Sequence, residues 1–264
     1  MIFASDLDRT IIYSDKFLRD FSGEVVAVEY GKYNSYMTKP ASQLLKIINR
    51  EITFVPCTTR TIEQYQRIQF FQREVTPKYA VVSNGANLLV DGNLDLDYQK
   101  SIAQALVNNC LASEDILKEF DKLNCGNWTQ PMRHADGVFH YCIIERDKAP
   151  WQELNFFKKW AEDQRWEMSI QGRKLYLVPC VINKGAALRI ISERIGEAAI
   201  FSAGDSLLDI PLIKEAQYRI SPAHGELFEQ CSSEKEWKFT KASGILAGEE
   251  ILQQVYHMVC GSDN

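Results

Sequence analysis

"FASDLDRTII", residues 3–12, places two carboxylates and a hydroxyl, those of Asp6, Asp8 and Thr10, at alternate positions after an apolar run. The run itself is typical of a buried strand that leads into a polar loop. A spacing of two residues directs Asp6 and Asp8 to the same side of the chain. Carboxylates this close repel each other unless a positive group lies between them. The stretch therefore predicts a buried strand that ends at a pair of carboxylates, with a positively charged group bound between them.

The composition is that of a globular protein with enough apolar material for a large core. The chain has 264 residues, of which 45% are hydrophobic and 25% charged, and its net charge is −5. The length predicts one large domain or two ordinary ones. No Lys/Arg cluster is dense enough to predict a face for nucleic acid or membrane. No apolar run approaches the roughly 20 residues of a membrane span.

The seven cysteines are widely spaced and form neither a CxxC pair nor a Cys/His cluster with zinc spacing. Their number is odd, so at least one has no partner within the chain. The sequence starts with "MIFASDLD", which has the pattern of a strand rather than of a targeting segment. We therefore expect reduced cysteines and a cytoplasmic protein. The sequence does not predict the oligomeric state.

Short apolar strands alternate with helical segments toward both ends of the chain. The strand pattern occurs at 52–59, 79–86 and 198–205, and helices are predicted over 61–74 and 183–196. Alternation of this kind predicts a parallel sheet with right-handed crossovers.

The middle of the chain has a different pattern. Asp91-Gly92 between two short apolar runs is a strong hairpin signal. A helical stretch is predicted over about 98–123, and two strands flank Gly172-Arg173. Hairpins beside helices predict an antiparallel α+β unit. The predicted organisation is an α/β core, 1–86 and 179–264, interrupted by an inserted α+β domain, 87–178.

Further reactive side chains stand at the predicted strand ends, where ligands of open parallel sheets bind. Thr58 and Asp205 follow strands, Lys184 begins a helix, and Asp209 lies four residues after Asp205. Mg²⁺ prefers oxygen ligands and would offset converging carboxylates. Lys184 and a helix N-terminus would attract an anionic substrate, and Thr58 could donate a hydrogen bond to a phosphoryl oxygen.

Five motifs stand in order along the chain: "DLDRT", "VPCTTRT", "SNGA", "LYLVPCVINKG" and "AGDSLLD". Each alone is weak, because acidic strand ends are common. Together they resemble the haloacid dehalogenase (HAD)-like hydrolase superfamily, in its Cof-like and sucrose-phosphatase-like branch. This resemblance covers most of the chain. It implies a Rossmann-like parallel-sheet core with an inserted α+β cap.

The resemblance also implies roles for the acidic residues. Asp6 would attack phosphorus and form an aspartyl-phosphate. Asp8 would protonate the leaving group and then activate water. Mg²⁺ would be held by the side chain of Asp6, the backbone carbonyl of Asp8 and the carboxylate of Asp205. Asp209 would bind the metal through water or orient Asp205.

The substrate-binding residues follow from the same resemblance. Thr58 and Lys184 would bind phosphoryl oxygens, and Lys184 would also neutralise Asp6. Asn84, at a strand end, is either a turn residue or a substrate contact. Arg173 and Lys174, at a predicted hairpin tip, are either a solvated turn or substrate contacts.

Arg9 is the main departure from the family pattern, because relatives usually have glycine there. If the backbone requires a positive φ, arginine would be strained. One interpretation is a solvated loop residue with an ordinary φ. The other is that Arg9 reaches toward the cap and contacts an anionic substrate.

The resulting functional hypothesis is a Mg²⁺-dependent phosphatase that hydrolyses a small phosphorylated metabolite, with a sugar phosphate favoured. The nearest alternative is a phosphosugar mutase, since some relatives with this layout move a phosphoryl group within a sugar. A non-catalytic phosphometabolite-binding or regulatory module is the alternative of another class. The presence of every catalytic residue type argues against that module.

Overall fold

The computed structural model describes residues 1–19, 21–123, 126–234 and 236–261, without the side chain of Gln171. In chain order its strands are β1 (Ile2–Ser5), β2 (Tyr13–Ser14), β3 (Val25–Glu29), β4 (Ser35–Thr38), β5 (Thr53–Pro56), β6 (Tyr79–Val82), β7 (Asn87–Val90), β8 (Asn93–Leu94), β9 (Arg133–Ala135), β10 (Phe139–Ile143), β11 (Trp166–Gln171), β12 (Lys174–Pro179), β13 (Ala199–Ala203) and β14 (Tyr218–Ile220). Its α-helices are α1 (Lys39–Glu51), α2 (Ile62–Gln66), α3 (Gln69–Arg73), α4 (Leu96–Asn109), α5 (Ser113–Asp121), α6 (Trp151–Asp163), α7 (Lys184–Ile195), α8 (Ile210–Lys214), α9 (Glu226–Cys231) and α10 (Ile245–Cys260).

Four strands form the predicted parallel sheet, in the order β14-β13-β1-β5. Every residue of β1 is buried, which explains its apolar sequence. The last residue of β1, Ser5, pairs with Pro56 on β5 and with Ala203 on β13. The residues that follow these three strands therefore meet at one edge of the sheet, where α/β proteins bind ligands.

Strand β6 departs from the predicted parallel pairing. Just after β5 it forms a parallel bridge between Cys57 and Val81, and it pairs antiparallel with β7 in the sheet β6-β7-β8. The predicted hairpin is confirmed: Asp91 and Gly92 both have positive φ, 50° and 77°, as the two-residue turns that fit twisted strands require.

The described chain divides into two compact units, Met1–Asp95 with Asn183–Asn264, and Leu96–Ile182. The predicted insertion, 87–178, begins earlier than the second unit because β7 and β8 complete a sheet with β6. The second unit contains the antiparallel sheet β11-β12-β10-β9, and Phe120, Trp128 and Phe157 lie in its core. The helical stretch predicted over about 98–123 contains two helices, α4 and α5.

A small antiparallel sheet, β2-β4-β3, lies between β1 and α1 in the chain and has no counterpart in the sequence predictions. We call residues 13–38 the small-sheet segment. Its apolar residues Val28 and Met37 join the core of the first unit. Its last β3 residue, Glu29, is a buried carboxylate, and such a group requires paired charges or hydrogen bonds.

The helix predicted over 183–196 is confirmed together with both of its ends. The Asn183 side chain accepts a hydrogen bond from the backbone nitrogen of Ala186 at 2.8 Å, and Gly196 ends the helix in the left-handed conformation, with φ 68°. The helix predicted over 61–74 is instead two short ones, α2 and α3, because Ile68 leaves the helical conformation.

None of the described helices is long and apolar enough to cross a membrane. The cysteines that the structure describes are unpaired, in agreement with the expectation of reduced thiols. Cys125 lies outside the described residues.

The turn after β6 should be sensitive to substitution at Gly85. Its φ is +100°, and an added Cβ would overlap the backbone carbonyl of Asn183. We expect Gly85→Ala to lower the free energy of unfolding by about 2–4 kcal/mol, the sum of left-handed strain and the clash. Urea denaturation measures this.

Gly92→Ala is the matched control. Gly92 also has a positive φ, but no atom lies within 4 Å of an added Cβ. This variant should cost only the strain of about 1 kcal/mol. Equal losses in the two variants would show that the packing of Gly85 against Asn183 contributes nothing.

Candidate active site

The loop after β1 folds back on itself and buries Asp6. The carbonyl of Leu7 accepts hydrogen bonds from the backbone nitrogens of Thr10, Ile11 and Ile12, at 2.9 to 3.1 Å. This tight loop brings the Thr10 hydroxyl to donate to Asp6 Oδ2 at 2.9 Å. Asp6 and Thr10, four residues apart in the sequence, are thus in direct contact.

Lys184, the first residue of α7, is a fully buried cation. Its ammonium donates to Asp6 Oδ1 and to Asp209 Oδ1, both at 2.6 Å. Burial lowers the pKa of Lys184, but the charges of Asp209 and Asp6 outweigh this effect and raise it above the usual value. Lys184 is therefore charged and joins the first strand end to the loop after β13.

Asp209 fixes the loop that carries Asp205. Its Oδ2 accepts from the backbone nitrogens of Asp205 and Ser206, at 3.1 and 3.0 Å, and from the Ser206 hydroxyl at 2.8 Å. A Cβ on Gly204 would overlap the Asp209 side chain, so only glycine permits this approach. The four-residue spacing between the two aspartates of "GDSLLD" thus lets the Asp209 carboxylate bond to the backbone of the loop that carries Asp205.

Asp6, Asp205 and Asp209 form a buried carboxylate trio, in which one oxygen from each lies within 4.8 Å of the others. Burial and the neighbouring carboxylates raise the pKa of Asp205 well above its usual value. Burial raises the pKa of Asp6 to about 7, although Lys184 acts in the opposite direction. When all three carboxylates are ionised, the trio has more negative charge than Lys184 can neutralise. An all-oxygen set with excess negative charge suits a hard divalent cation such as Mg²⁺.

Thr58 and Asn84 lie against each other beside the start of α7. The Thr58 carbonyl accepts from the Asn84 backbone nitrogen at 2.9 Å. The residues Ser83, Asn84 and Gly85 have positive φ, and this turn packs on Asn183, the residue before Lys184. The Oδ1 atom of Asn84 is buried and has no hydrogen-bond partner among the described residues. Backbone contacts thus connect the turn that carries Asn84 both to Thr58 and to the start of the Lys184 helix.

Asp8 lies outside the carboxylate trio and is held by Arg60, which the sequence analysis did not single out. The guanidinium donates from Nε to Asp8 Oδ2 at 2.7 Å and from Nη2 to Asp8 Oδ1 at 2.8 Å. This is the two-point geometry in which arginine binds carboxylates most strongly. The only signal in the sequence was the place of Arg60 within "VPCTTRT".

Arg60 also binds the small-sheet segment. Its Nη1 donates to Glu29 Oε2 at 2.7 Å, and the Ser35 hydroxyl donates to the same oxygen at 3.1 Å. Arg67 Nε lies 3.3 Å from Glu29 Oε1 without hydrogen-bond geometry. Burial lowers the pKa of Arg60, but Asp8 and Glu29 outweigh it and raise the value. The buried carboxylate of Glu29 is thus paired with the arginine that holds Asp8.

Arg9 adopts the left-handed conformation, with φ 66°, so the interpretation with an ordinary φ is wrong. Its Nη2 donates to the carbonyl of His224 at 2.9 Å, and its Nε lies 3.4 Å from Asp205 Oδ2. The contact with an anionic substrate stays a prediction.

Arg173 and Lys174 lie at the tip of the hairpin β11–β12, as predicted, and both are exposed. Gly172 at this tip has φ 58°. Their role as substrate contacts stays a prediction.

Comparisons with known proteins found a matching family model and similar solved structures. A family model described as sucrose-6F-phosphate phosphohydrolase matches residues 1–250. No curated protein sequence matches the chain.

Solved structures of phosphatases have a similar fold. The sucrose-phosphatase of Synechocystis sp. PCC6803, determined with sucrose and phosphate, is 15% identical, with 97% of each chain covered and a TM-score of 0.69. A sugar phosphatase of HAD subclass IIB is 12% identical over 97% of this chain and 98% of its own, with a TM-score of 0.59. A protein related to trehalose-6-phosphate phosphatase is 14% identical over 98% of each chain, with a TM-score of 0.58. At these identities the likeness shows the fold.

The Arg60–Glu29 pair should be strongly coupled. We expect Arg60→Gln and Glu29→Gln each to lower the free energy of unfolding by about 2 kcal/mol, because each removes a short charged hydrogen bond to a buried partner. The double variant should cost about 1–3 kcal/mol less than the sum. Urea unfolding of the four proteins gives the coupling energy. The exposed pair Lys118–Asp115 is the control and should show a smaller coupling; additive losses at Arg60 and Glu29 would contradict the pairing.

The metal-free protein should lose stability as the pH rises from about 4 to about 7. The folded state keeps a proton on Asp6, whose pKa is about 7 instead of 3.8, whereas the unfolded chain releases it. The free energy of unfolding, measured in chelator and compared with that of Asp6→Asn, should fall by more than about 1 kcal/mol over this range. Parallel pH profiles for the two proteins would contradict the raised value.

Proposed function

Because the chain belongs to the sucrose-6F-phosphate phosphohydrolase family, we propose that it hydrolyses a sugar phosphate through an aspartyl-phosphate on Asp6, with the help of Mg²⁺. Membership in this family of HAD-like proteins makes the chain a phosphoric monoester hydrolase. We further propose the class of substrate, the metal ion and the catalytic role of each residue.

The observation that carries the proposal is the environment of Asp6. This carboxylate lies at the carboxyl end of the central strand, with the Thr10 hydroxyl on one oxygen and the Lys184 ammonium on the other. Each oxygen keeps a further lone pair. The two donors fix the side chain in one orientation, and Lys184 supports the charge that a nucleophilic carboxylate must carry.

In the first step, an oxygen of Asp6 attacks phosphorus while the bond from phosphorus to the sugar oxygen breaks. Asp8 gives its proton to that sugar oxygen, so the sugar leaves as an alcohol. In the second step, Asp8 takes a proton from water, and the oxygen of that water attacks phosphorus. Asp6 is regenerated as a carboxylate, and orthophosphate is released.

The electrostatic requirement of both steps is to stabilise the charge on the equatorial phosphoryl oxygens. Lys184 and the Thr58 hydroxyl are the donors that we assign to these oxygens. Mg²⁺, held by Asp6, Asp205 and the Asp8 carbonyl, would neutralise the phosphoryl group when bound. Asp209 would hold Asp205 and Lys184 in place, because its two oxygens already accept hydrogen bonds from that loop and from the lysine.

A sugar phosphate is favoured as the substrate by the relatives. The matched family is named for sucrose-6F-phosphate, and one similar structure holds sucrose and phosphate. Asn84, with its unpartnered buried oxygen, Arg9 and the exposed pair Arg173 and Lys174 are the residues that we assign to substrate contacts.

The test is orthophosphate release from a panel that includes sucrose 6F-phosphate, hexose phosphates, polyol phosphates and nucleotides. We expect release with Mg²⁺, loss of release in chelator, and a decrease of at least about a thousandfold in Asp6→Asn. Isomerised sugar phosphate without release would favour the mutase. No reaction on any compound would contradict the hydrolase.

Asp8→Asn is the variant matched to Asp6→Asn. It distinguishes formation of the aspartyl-phosphate from its hydrolysis. With p-nitrophenyl phosphate, whose leaving group needs no protonation, it should give a burst of nitrophenol and then stop. The second step lacks its base. Steady turnover at the rate of the unmodified protein would contradict the role of Asp8.

A further inference from the structure

Arg9 is held in a strained conformation by two mutual hydrogen bonds with His224. Its Nη2 donates to the His224 carbonyl, and His224 Nε2 donates to the Arg9 carbonyl, both at 2.9 Å. His224 Nδ1 accepts from the backbone nitrogen of Gly244 at 3.0 Å, which fixes the neutral tautomer. The left-handed backbone is unfavourable for a residue other than glycine, so the structure keeps Arg9 in this position against an energetic penalty.

The guanidinium of Arg9 is directed at the carboxylate trio. Its Nε is buried and lies 3.4 Å from Asp205 Oδ2, close enough for charge attraction, but it has no hydrogen-bond partner among the described residues. A buried N–H without an acceptor is costly, and such a group is often completed by a ligand. An oxygen of a bound anion would complete it.

Arg9 changes the charge balance of the site. The trio carries three negative charges when ionised, and Lys184 offsets one of them. Arg9 offsets a second, so that one net negative charge is left instead of two. A divalent cation then makes the site positive by one charge, whereas without Arg9 it would make the site neutral. Asp8 lies outside this count, because it is paired with Arg60.

We propose that Arg9 shifts the affinity of the site from metal toward phosphate: it weakens the binding of Mg²⁺ alone and strengthens the binding of a phosphate dianion to the metal-loaded site. This inference rests on the proposed function, because it takes the trio as the metal site. Arg9 is then a residue that sets the affinity balance of the site rather than a catalytic residue.

The test is calorimetric titration of the full chain with Mg²⁺ alone and with orthophosphate at saturating Mg²⁺, neither of which requires turnover. Arg9→Asn removes the charge and suits the left-handed backbone. We expect its dissociation constant for Mg²⁺ to fall about tenfold and that for orthophosphate to rise about tenfold. This is the size that Coulomb's law gives in water for a single and a double charge roughly 6 Å apart.

Two further variants control for structure. Arg9→Gly also removes the charge and the strain, and it should reproduce both shifts. Arg9→Lys keeps the charge and should leave both constants within about threefold of the unmodified protein, because the interaction is Coulombic. Thermal unfolding should show that neither Arg9→Asn nor Arg9→Gly is destabilised, since both relieve the positive φ.

Opposite shifts of the two constants support the inference, because a merely structural role would weaken both. Constants that move in the same direction, or that stay unchanged in both neutral variants, would overturn it while leaving the proposed function intact. Absence of Mg²⁺ binding by the unmodified protein both with and without orthophosphate would overturn the proposed function, and the role of Arg9 with it.

Discussion

The site depends on one buried ammonium group, that of Lys184. It bonds to Asp6 at the end of the first strand and to Asp209 in the loop after β13, which are distant in sequence. A buried cation of this kind is stable only when its hydrogen bonds are satisfied by carboxylates. The contacts between strand ends therefore hold the two loops at a fixed separation. The turn with Gly85 adds a steric constraint on the same helix start, because it packs on Asn183.

The two aspartates of the opening motif have opposite environments, although only one residue separates them. Asp6 is buried and bonds to a lysine and a threonine, whereas half of the Asp8 side chain is exposed and bonds to an arginine. A buried carboxylate whose negative charge a buried lysine supports suits a nucleophile. One at the surface of the site, next to solvent, suits an exchange of protons with leaving group and water. The difference in environment matches the division of labour that we propose.

The sequence predicted the features that depend on local pattern and fixed spacing. Asp6, Lys184 and Asp205 stand at ends of elements whose apolar periodicity is clear, and the parallel order of their strands brought them together. The partners of Asp8 and Arg9 were not predictable in this way. Arg60 meets Glu29 across 31 positions of sequence, and Arg9 meets His224 across 215. The direction of a long side chain depends on tertiary contacts that have no periodic signal. The small-sheet segment was missed for a similar reason, since short strands are defined by their pairing more than by composition.

The pairing of Glu29 with Arg60 has a consequence for anyone who would transplant this chemistry to another scaffold. The sequence motifs of the site lie at the strand ends and in the loops that follow them. Arg60, which holds Asp8, has its second carboxylate partner, Glu29, in the small-sheet segment. A scaffold given only the strand ends and their loops would contain Arg60 without Glu29. Arg60 would then pair with Asp8 alone, the proposed general acid. A working copy of this site therefore has to include the small-sheet segment. Shortening that segment would change the electrostatic environment of Asp8 even where the rest of the fold stayed intact.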